Sequence, residues 1–305
     1  MSSLNDVFYF QAGLGVLGNV FLLFFYTFII LNRRPKPMDM ISCQQTFIHT
    51  MMVLSGGYFW HTDIFESLNI DNSFKCKVTF YIYRVMRGLS ICNTCLLSVF
   101  QAITISPSTS LLAKFKHKLT TYVIYAFLCI WSFNLSFSSN RIFYVDACTN
   151  MSETNQMRVT KSCALFPMNY IIGGLILTVT TSRDVFLIGV MLTTSTYMVI
   201  ILFRHQRQCK HLHSISHLRA SPEKRATQTI LLLVIFFVVL YWVDFTISVT
   251  SFLLWMYDPV TLTVQKFVMN AYPTITPLVQ ISSDSRIINM LKKMQSMCQQ
   301  IVKKG

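Results

Sequence analysis

The chain has 305 residues, of which 53% are hydrophobic and only 12% are charged. Soluble proteins carry about 25% charged residues, so this composition excludes an ordinary soluble domain, and the high hydrophobicity also excludes a disordered chain. The net charge of +14 fits either a nucleic-acid-binding surface or the cytoplasmic side of a membrane protein. The positions of the charges decide between these two classes.

Long stretches without charge follow one another along the chain, and a membrane-spanning helix needs about 20 such residues. We predict an all-α integral membrane bundle of seven spans that forms a single domain over residues 1–305, with a cytoplasmic tail at 284–305. The predicted spans are residues 7–31, 41–63, 78–105, 119–140, 184–203, 226–256 and 264–283. An eighth apolar stretch, residues 162–182, is interpreted as the end of the second outer loop. Part of this stretch could also extend the fifth span on its outer side, and the sequence leaves this alternative open.

The distribution of basic residues predicts the orientation of the bundle. No Lys or Arg precedes the first span, whereas Arg33, Arg34 and Lys36 follow it directly. Because basic flanks stay in the cytoplasm, we predict the N terminus outside and the C terminus inside. Seven spans place most of the 26 Lys and Arg residues in inner segments, whereas eight spans would move the two largest basic groups outside. The basic residues are therefore interpreted as cytoplasmic clusters, and no nucleic-acid partner is predicted.

Nine cysteines occur, and Cys76, Cys148 and Cys163 are the three on the predicted outer side. Disulfides form in that oxidising compartment, so we expect a bridge from Cys76 to the second outer loop, and spacing alone leaves its partner open. The sequon that begins at Asn150 lies in the same loop and is a predicted glycosylation site. A Cys-x-x-Cys pair inside the third span is interpreted as packing rather than as a redox motif.

Motifs for catalysis or metal binding are weak in this sequence. The cluster Cys209, His211, His213 and His217 lies in a basic inner loop without a nearby carboxylate, and we interpret it as a solvated loop. The sequence has no phosphate-binding loop, nucleophile elbow or paired-carboxylate motif, so we predict neither an enzyme nor a cofactor or metal site. A polytopic channel or transporter is the alternative function, although internal repeats and numerous midspan charges would be expected of it.

Three charged residues lie deep inside the predicted spans, namely Arg84 and Arg87 in the third and Asp244 in the sixth. Burying charge in a bilayer is costly, so each is a candidate functional residue. Two interpretations stay open: a structural ion pair between these spans, or a cavity in which an arginine binds an anionic or acceptor-rich ligand. The candidate ligand-binding residues are Tyr83, Arg84, Arg87, Trp242, Asp244, Lys266 and Asn270.

Several longer strings are more specific than the span pattern. They are residues 74–77 (FKCK), 83–92 (YRVMRGLSIC), 97–108 (LSVFQAITISPS), 203–208 (FRHQRQ), 220–229 (ASPEKRATQT) and 241–245 (YWVDF). With the seven spans and the outer cysteines, they make the chain resemble the vomeronasal type-1 receptors, a pheromone receptor family of G protein-coupled receptors. The resemblance extends from the first span into the tail.

The resemblance implies a multi-pass receptor at the plasma membrane of sensory neurons, which binds a small-molecule pheromone or odorant from outside. It implies activation of a heterotrimeric G protein of the inhibitory class. It further implies a disulfide between Cys76 and Cys163 and glycosylation at Asn150. The basic residues predicted to face the G protein are Arg204, Arg207, Lys224 and Arg225.

The sequence departs from the wider rhodopsin-like pattern at several motifs. The acidic residue usual in the second span is missing, and His49 lies nearby. Residues 99–102 (VFQA) stand where an Asp-Arg-Tyr motif would end the third span, and Asp244 replaces the usual proline of the sixth. Neither the standard ionic lock nor a sodium site in the second span is therefore expected.

Overall fold

A computed structural model describes residues 2–32, 36–58, 72–107, 110–147, 157–158, 163–165, 169–212, 222–254 and 259–304. The described residues form eight α-helices, and the first seven pack into one bundle. The helices are α1 (Ser2–Asn32), α2 (Pro37–Val53), α3 (Asn72–Ile105), α4 (Leu119–Ser138), α5 (Tyr170–Leu212), α6 (Pro222–Leu254), α7 (Pro259–Ser283) and α8 (Ser285–Lys304). A π-helical turn (Leu54–Tyr58) continues α2, and 3₁₀ turns flank α4 at Leu111–Lys118 and Ser139–Tyr144.

Five helical segments of the described residues are long and apolar enough to cross a bilayer. They are Asp6–Asn32, Ser73–Ile105, Leu119–Tyr144, Ile171–Arg204 and Thr227–Ile247. Helix α2 has only 17 residues, and both α2 and α7 bury polar side chains inside the bundle, such as Gln45 and Gln280. The exact span limits, the extent of the cytoplasmic tail and the orientation of the termini stay predictions.

Helix α5 is much longer than the predicted span that begins at residue 184. It starts at Tyr170, so the outer extension that the sequence left open is present. Arg183, which the sequence placed outside or at the outer boundary, lies well inside this helix, and its depth in the bilayer stays a prediction. Arg183 and Asp184 form an ion pair with each other, so the two charges neutralise one another within the helix.

The central helix of the bundle is α3. In its most apolar segment 72% of the residues are buried, against 17% to 28% in the corresponding segments of α1, α4, α5 and α6. Side chains on α3 therefore face other helices on nearly all sides. The outer surfaces of the peripheral helices expose large apolar residues such as Phe24, Phe28 and Phe186, as expected for contact with lipid.

A small antiparallel sheet lies beside the start of α3. In the described residues its strands are β1 (Val145–Ala147), β2 (Met157–Arg158) and β3 (Cys163–Leu165), in the order β1-β3-β2. A disulfide joins Cys76 of α3 to Cys163 of β3, with the two Cα atoms 5.7 Å apart. The structure thus contains the pairing that the family resemblance implied, and both cysteines are buried against Val145.

Helix α7 contains two prolines, Pro273 and Pro277. Pro277 has no N–H, so the carbonyl of Pro273 loses its usual helical donor. The side-chain amide of Asn19 replaces that donor, because its Nδ2 lies 2.8 Å from the Pro273 carbonyl oxygen. The close approach of α1 needs glycine: a Cβ atom at Gly18 would lie only 3.1 Å from the Pro277 ring.

Helix α8 is fixed to the bundle at its first turn. Arg286 binds Asp39 of α2 and Asp284, each at 2.9 Å. Burial lowers the pKa of Arg286, but its hydrogen bonds to Asp284 and Asp39 outweigh that effect and raise the pKa above its usual value. Ile287 is fully buried against Leu22 of α1. The helix therefore starts in a defined place beneath α1 and α2.

Candidate functional site

A cavity of about 60 Å³ lies between α2, α3, α5, α6 and α7. Its described lining combines apolar side chains with several charged and hydroxyl-bearing ones. The lining residues are Met52, Tyr83, Arg87, Ser90, Ile91, Arg183, Asp184, Phe237, Leu240, Tyr241, Asp244, Val268, Met269 and Tyr272. Typical small-molecule pockets have about 300–1,000 Å³, so this one fits only a small occupant unless the helices move apart.

The deep charges of α3 and α6 meet at this cavity. Nη2 of Arg87 forms a short hydrogen-bonded ion pair with Oδ2 of Asp244. Gln265 of α7 donates to the other oxygen of Asp244 at 3.4 Å. Asp244 is only 4% exposed, whereas the Arg87 side chain is 36% exposed and lines the open space. The two interpretations that the sequence left open are therefore compatible, because the arginine both pairs with Asp244 and faces a cavity.

A second charged pair lies on α5. Nη2 and Nε of Arg183 lie 2.6 and 2.7 Å from Oδ1 of Asp184. The hydroxyl of Tyr241 on α6 donates to Oδ2 of Asp184 at 2.9 Å, which joins α5 to α6. All three residues line the cavity, and none was predicted to do so. The sequence signal was the charged dipeptide itself, which interrupts an apolar run.

Gly88 of α3 leaves room for the side chains of Asn134 and Arg183 to approach α3. A Cβ atom at Gly88 would collide with the side-chain oxygen of Asn134 on α4 and would lie 3.4 Å from Nη1 of Arg183. Arg183 also lies above the ring of Phe137, with its guanidinium carbon 5.3 Å from the ring centre. The guanidinium of α5 is thereby held among α3, α4 and the cavity.

A buried network of uncharged polar residues lies next to the cavity. The hydroxyl of Ser90 lies 3.0 Å from Nε2 of His49, and Gln45 lies 2.6 Å from the same nitrogen. Gln45 also donates to Thr94 at 3.3 Å, and Thr94 lies 3.0 Å from the hydroxyl of Tyr272. Ser90 and Tyr272 line the cavity, so the network connects it to the interior of α2. From the sequence, His49 stood out only because it lies near the position where the second span usually has an acidic residue.

The remaining predicted ligand residues are not part of the lining that the structure describes. Trp242 is 55% exposed on the outside of the bundle, because two residues along a helix turn the side chain by about 200° from the face of Asp244. Arg84 is half-buried beside the site. Asn270 is buried behind it: a Cβ atom at Gly56 would lie 3.2 Å from its Oδ1 and 2.9 Å from the ring of Tyr83. Lys266 lies on α7, and its side chain is outside the described residues.

The other predicted positions lie towards the ends of the helices. Arg204 and Arg207 are exposed near the end of α5, and Lys224 and Arg225 stand at the start of α6 with side chains outside the described residues. Asn150 is also outside them. Among the described residues, no group of three or more His, Cys, Asp or Glu side chains is placed to hold a metal ion.

The fold defines the class of protein. The structure resembles the crystal structure of squid rhodopsin with a TM-score of 0.71, over 97% of this chain and 85% of that one. The identity is only 14%, so this likeness shows the fold alone. The chain is therefore a seven-helix protein of the rhodopsin-like fold, and the seven-helix prediction is confirmed.

The sequence comparisons show the family. The profile of the "Vomeronasal organ pheromone receptor family" matches residues 2–293. Vomeronasal type-1 receptor 90 of Rattus norvegicus is 42% identical over 94% of this chain and 93% of that one, and vomeronasal type-1 receptor 45 of Mus musculus is 37% identical over 95% and 92%. The chain belongs to this vomeronasal pheromone receptor family.

Family and fold together give the function in general terms. The protein is a G protein-coupled pheromone receptor, a multi-pass protein of the plasma membrane that takes a small-molecule ligand and a G protein as partners, and it is not an enzyme. The channel or transporter alternative gains no support from either comparison.

Proposed function

We propose that the pheromone reaches the cavity from the outer side and binds among Tyr83, Arg87 and Asp244. The observation that carries the proposal is that charged groups from α3, α5 and α6 meet at one cavity near the centre of the bundle. Ionisable residues within spans are costly and commonly mark functional sites. Asp184 and Tyr241 add the α5–α6 side of the same site.

The contacts of this site explain how binding reaches the G protein. The Arg87–Asp244 pair holds α6 against α3, and the Tyr241–Asp184 hydrogen bond holds α6 against α5. A ligand shifts a conformational equilibrium only through unequal affinity for the two states. A ligand that contacts these groups acts on the position of α6 directly.

Near the helix ends that carry the basic residues, hydrogen bonds between uncharged side chains join the α3 region to α5 and α6. Gln101 of α3 donates to Thr227 of α6 at 3.3 Å, and Ser106, which directly follows α3, lies 2.8 Å from the hydroxyl of Tyr197 on α5. We propose that activation separates the inner ends of α5 and α6 and weakens such contacts. The basic residues Arg204, Arg207, Lys224 and Arg225 then engage a G protein of the inhibitory class.

The test is nucleotide exchange with purified receptor in lipid nanodiscs, with inhibitory-class and other heterotrimers compared side by side. Steroids, sulfated steroids and urinary volatiles form the ligand screen. A saturable response with the inhibitory class that is lost in Arg87→Lys, at unchanged surface level, supports the proposal, because lysine keeps the charge but not the planar fork of donors. Lys292→Arg on exposed α8 is the matched control. A full response in Arg87→Lys would contradict the proposed ligand site.

A further inference from the structure

The charges in the described lining of the cavity balance. The described lining contains two arginines, Arg87 and Arg183, and two aspartates, Asp184 and Asp244. Each guanidinium already binds a carboxylate, since Arg87 pairs with Asp244 and Arg183 pairs with Asp184. The described wall of the cavity therefore carries no net charge.

Neither carboxylate is free to leave its arginine. The side chains of Asp184 and Asp244 are each only 6% exposed. A charged ligand that displaced one of them would leave a buried carboxylate without a counter-ion, and breaking a buried pair in this way is strongly destabilising. An anion that instead entered beside the intact pairs would bring an uncompensated charge into a poorly solvated space. The site is thus complementary to an uncharged occupant.

Hydrogen-bond donors remain available in the same cavity. The hydroxyl oxygen of Tyr83 is buried and has no hydrogen-bond partner within the part of the chain that the structure describes. In those residues Arg87 donates only to Asp244, although its guanidinium has five N–H groups. Tyr83 and Arg87 lie one helical turn apart on the same face of α3, and both line the cavity. An occupant that supplies an acceptor between them would satisfy both.

We infer that the cavity selects a small uncharged molecule that presents a hydrogen-bond acceptor to Tyr83 and Arg87, and that it rejects anions of the same size. This inference rests on the proposed function, because it assigns a ligand class to the same site. An arginine within a span could bind either an anionic ligand or an uncharged ligand rich in acceptors. The inference favours the uncharged ligand. The cavity volume of about 60 Å³ restricts the occupant to a few non-hydrogen atoms unless the helices part.

The experiment compares head groups on one short chain. Butanamide, butanoate and butylammonium are titrated into the full-length receptor in nanodiscs, and binding is followed by saturation-transfer NMR. We expect the wild type to bind butanamide at least about tenfold more tightly than either ion, a difference of about 1.4 kcal/mol. Tyr83→Phe should weaken butanamide by roughly threefold to tenfold, because one hydrogen bond is lost.

Two variants that each remove one carboxylate should reverse the order of affinities for the head groups. Asp244→Asn leaves Arg87 without its carboxylate, so the order should invert and butanoate should bind more tightly than butanamide. Asp184→Asn frees Arg183 and should have the same effect, which keeps the test valid if Asp244→Asn fails to fold. Asp6→Asn is the matched control, since Asp6 is exposed near the start of α1 and carries the same charge. Its head-group order should equal that of the wild type.

Three results would overturn the inference: a wild type that prefers butanoate, a wild type that binds none of the three probes, or charge variants with an unchanged order. Basal nucleotide exchange is measured in the same preparations without probe. Exchange activity with the wrong head-group order would refute the ligand class and keep the receptor function. The correct order without exchange would refute the proposed coupling to the inhibitory-class G protein and keep the ligand class.

Discussion

The cavity wall and the neighbouring network of uncharged polar residues lie side by side, yet they are built from different chemistry. The wall holds its helices through ion pairs, such as Arg87 with Asp244, that face open space. The network holds α2, α3 and α7 through neutral groups, and His49 at its centre is fully buried. Ser90 and Tyr272 belong to both regions.

The difference lies in what each region has left to offer a ligand. The wall retains donors on Tyr83 and Arg87, and both residues line the cavity. In the network the polar side chains bond to one another in a closed interior, as Gln45 and Thr94 do, although Nδ1 of His49 has no partner among the described residues. The wall is therefore suited to binding, whereas the network is suited to holding the helices that carry the wall. The following predictions test that division, from the largest expected effect to the smallest.

Breaking the α3–α6 ion pair should have the largest effect on stability. Arg87→Ala leaves Asp244 buried without its counter-ion, and such a change typically costs about 3–5 kcal/mol. We expect a large fall in the unfolding temperature of the purified receptor and in its surface level. The double variant Arg87→Met with Asp244→Met removes both charges, so it should recover most of the stability and still give no ligand response. A stable single variant would show that the pair does not hold the bundle.

Disrupting the neutral network should cost less and leave ligand selection intact. His49→Leu leaves the Ser90 hydroxyl without its buried partner and removes one contact of Gln45, at a cost of about 1–3 kcal/mol. We expect a moderate fall in the unfolding temperature with the same order of affinities for butanamide, butanoate and butylammonium. Ser296→Ala on exposed α8 is the control. A changed order of affinities would mean that the network takes part in binding, and the division between the two regions would be wrong.

Removing the hydroxyl between α5 and α6 should change signalling more than stability. Tyr241→Phe deletes the hydrogen bond to Asp184, and bonds to charged groups contribute about 1.5–3 kcal/mol. We expect basal nucleotide exchange to rise several-fold, because α6 is released from α5 in the unliganded receptor. Tyr125→Phe on the exposed face of α4 provides the matched control. Unchanged basal exchange would contradict the role of this bond in holding α6.

The smallest expected effect lies outside both regions. Asn150→Gln should remove one glycan and change electrophoretic mobility, whereas ligand response per surface receptor should stay the same. Treatment of the wild type with an N-glycosidase should give the same mobility as the variant. A wild-type band that does not shift with the enzyme would exclude glycosylation at this position.

The helical framework and part of the site were accessible from sequence, because apolar runs and charge are strong one-dimensional signals. Arg87 and Asp244 stood out as charges within apolar helices, and the spacing of Tyr83 put it on the Arg87 face. Trp242 was a candidate from the Tyr241–Asp244 motif of the sixth span, and helical geometry puts it on the side opposite Asp244.

Arg183 and Asp184 were missed because a charged dipeptide between two apolar runs equally fits a boundary. Only the continuous helix from Tyr170 shows that the charges lie inside it. The network was missed for a different reason. Gln45 and Thr94 are uncharged, so they do not interrupt the apolar pattern strongly, and their partners lie on other helices. Pairing across helices is a property of the packed bundle that no single segment encodes.

The amide of Asn19 has a consequence for the order in which the chain matures. It reaches the carbonyl of Pro273, 254 positions further along the chain, so that bond can form only after the last helix of the bundle has been synthesised and inserted. Until then the first helix carries a polar amide without this partner in a membrane interior, where unsatisfied polar groups are costly. A chain truncated before α7 should therefore leave this amide with only the Gly15 carbonyl of its own helix as a partner.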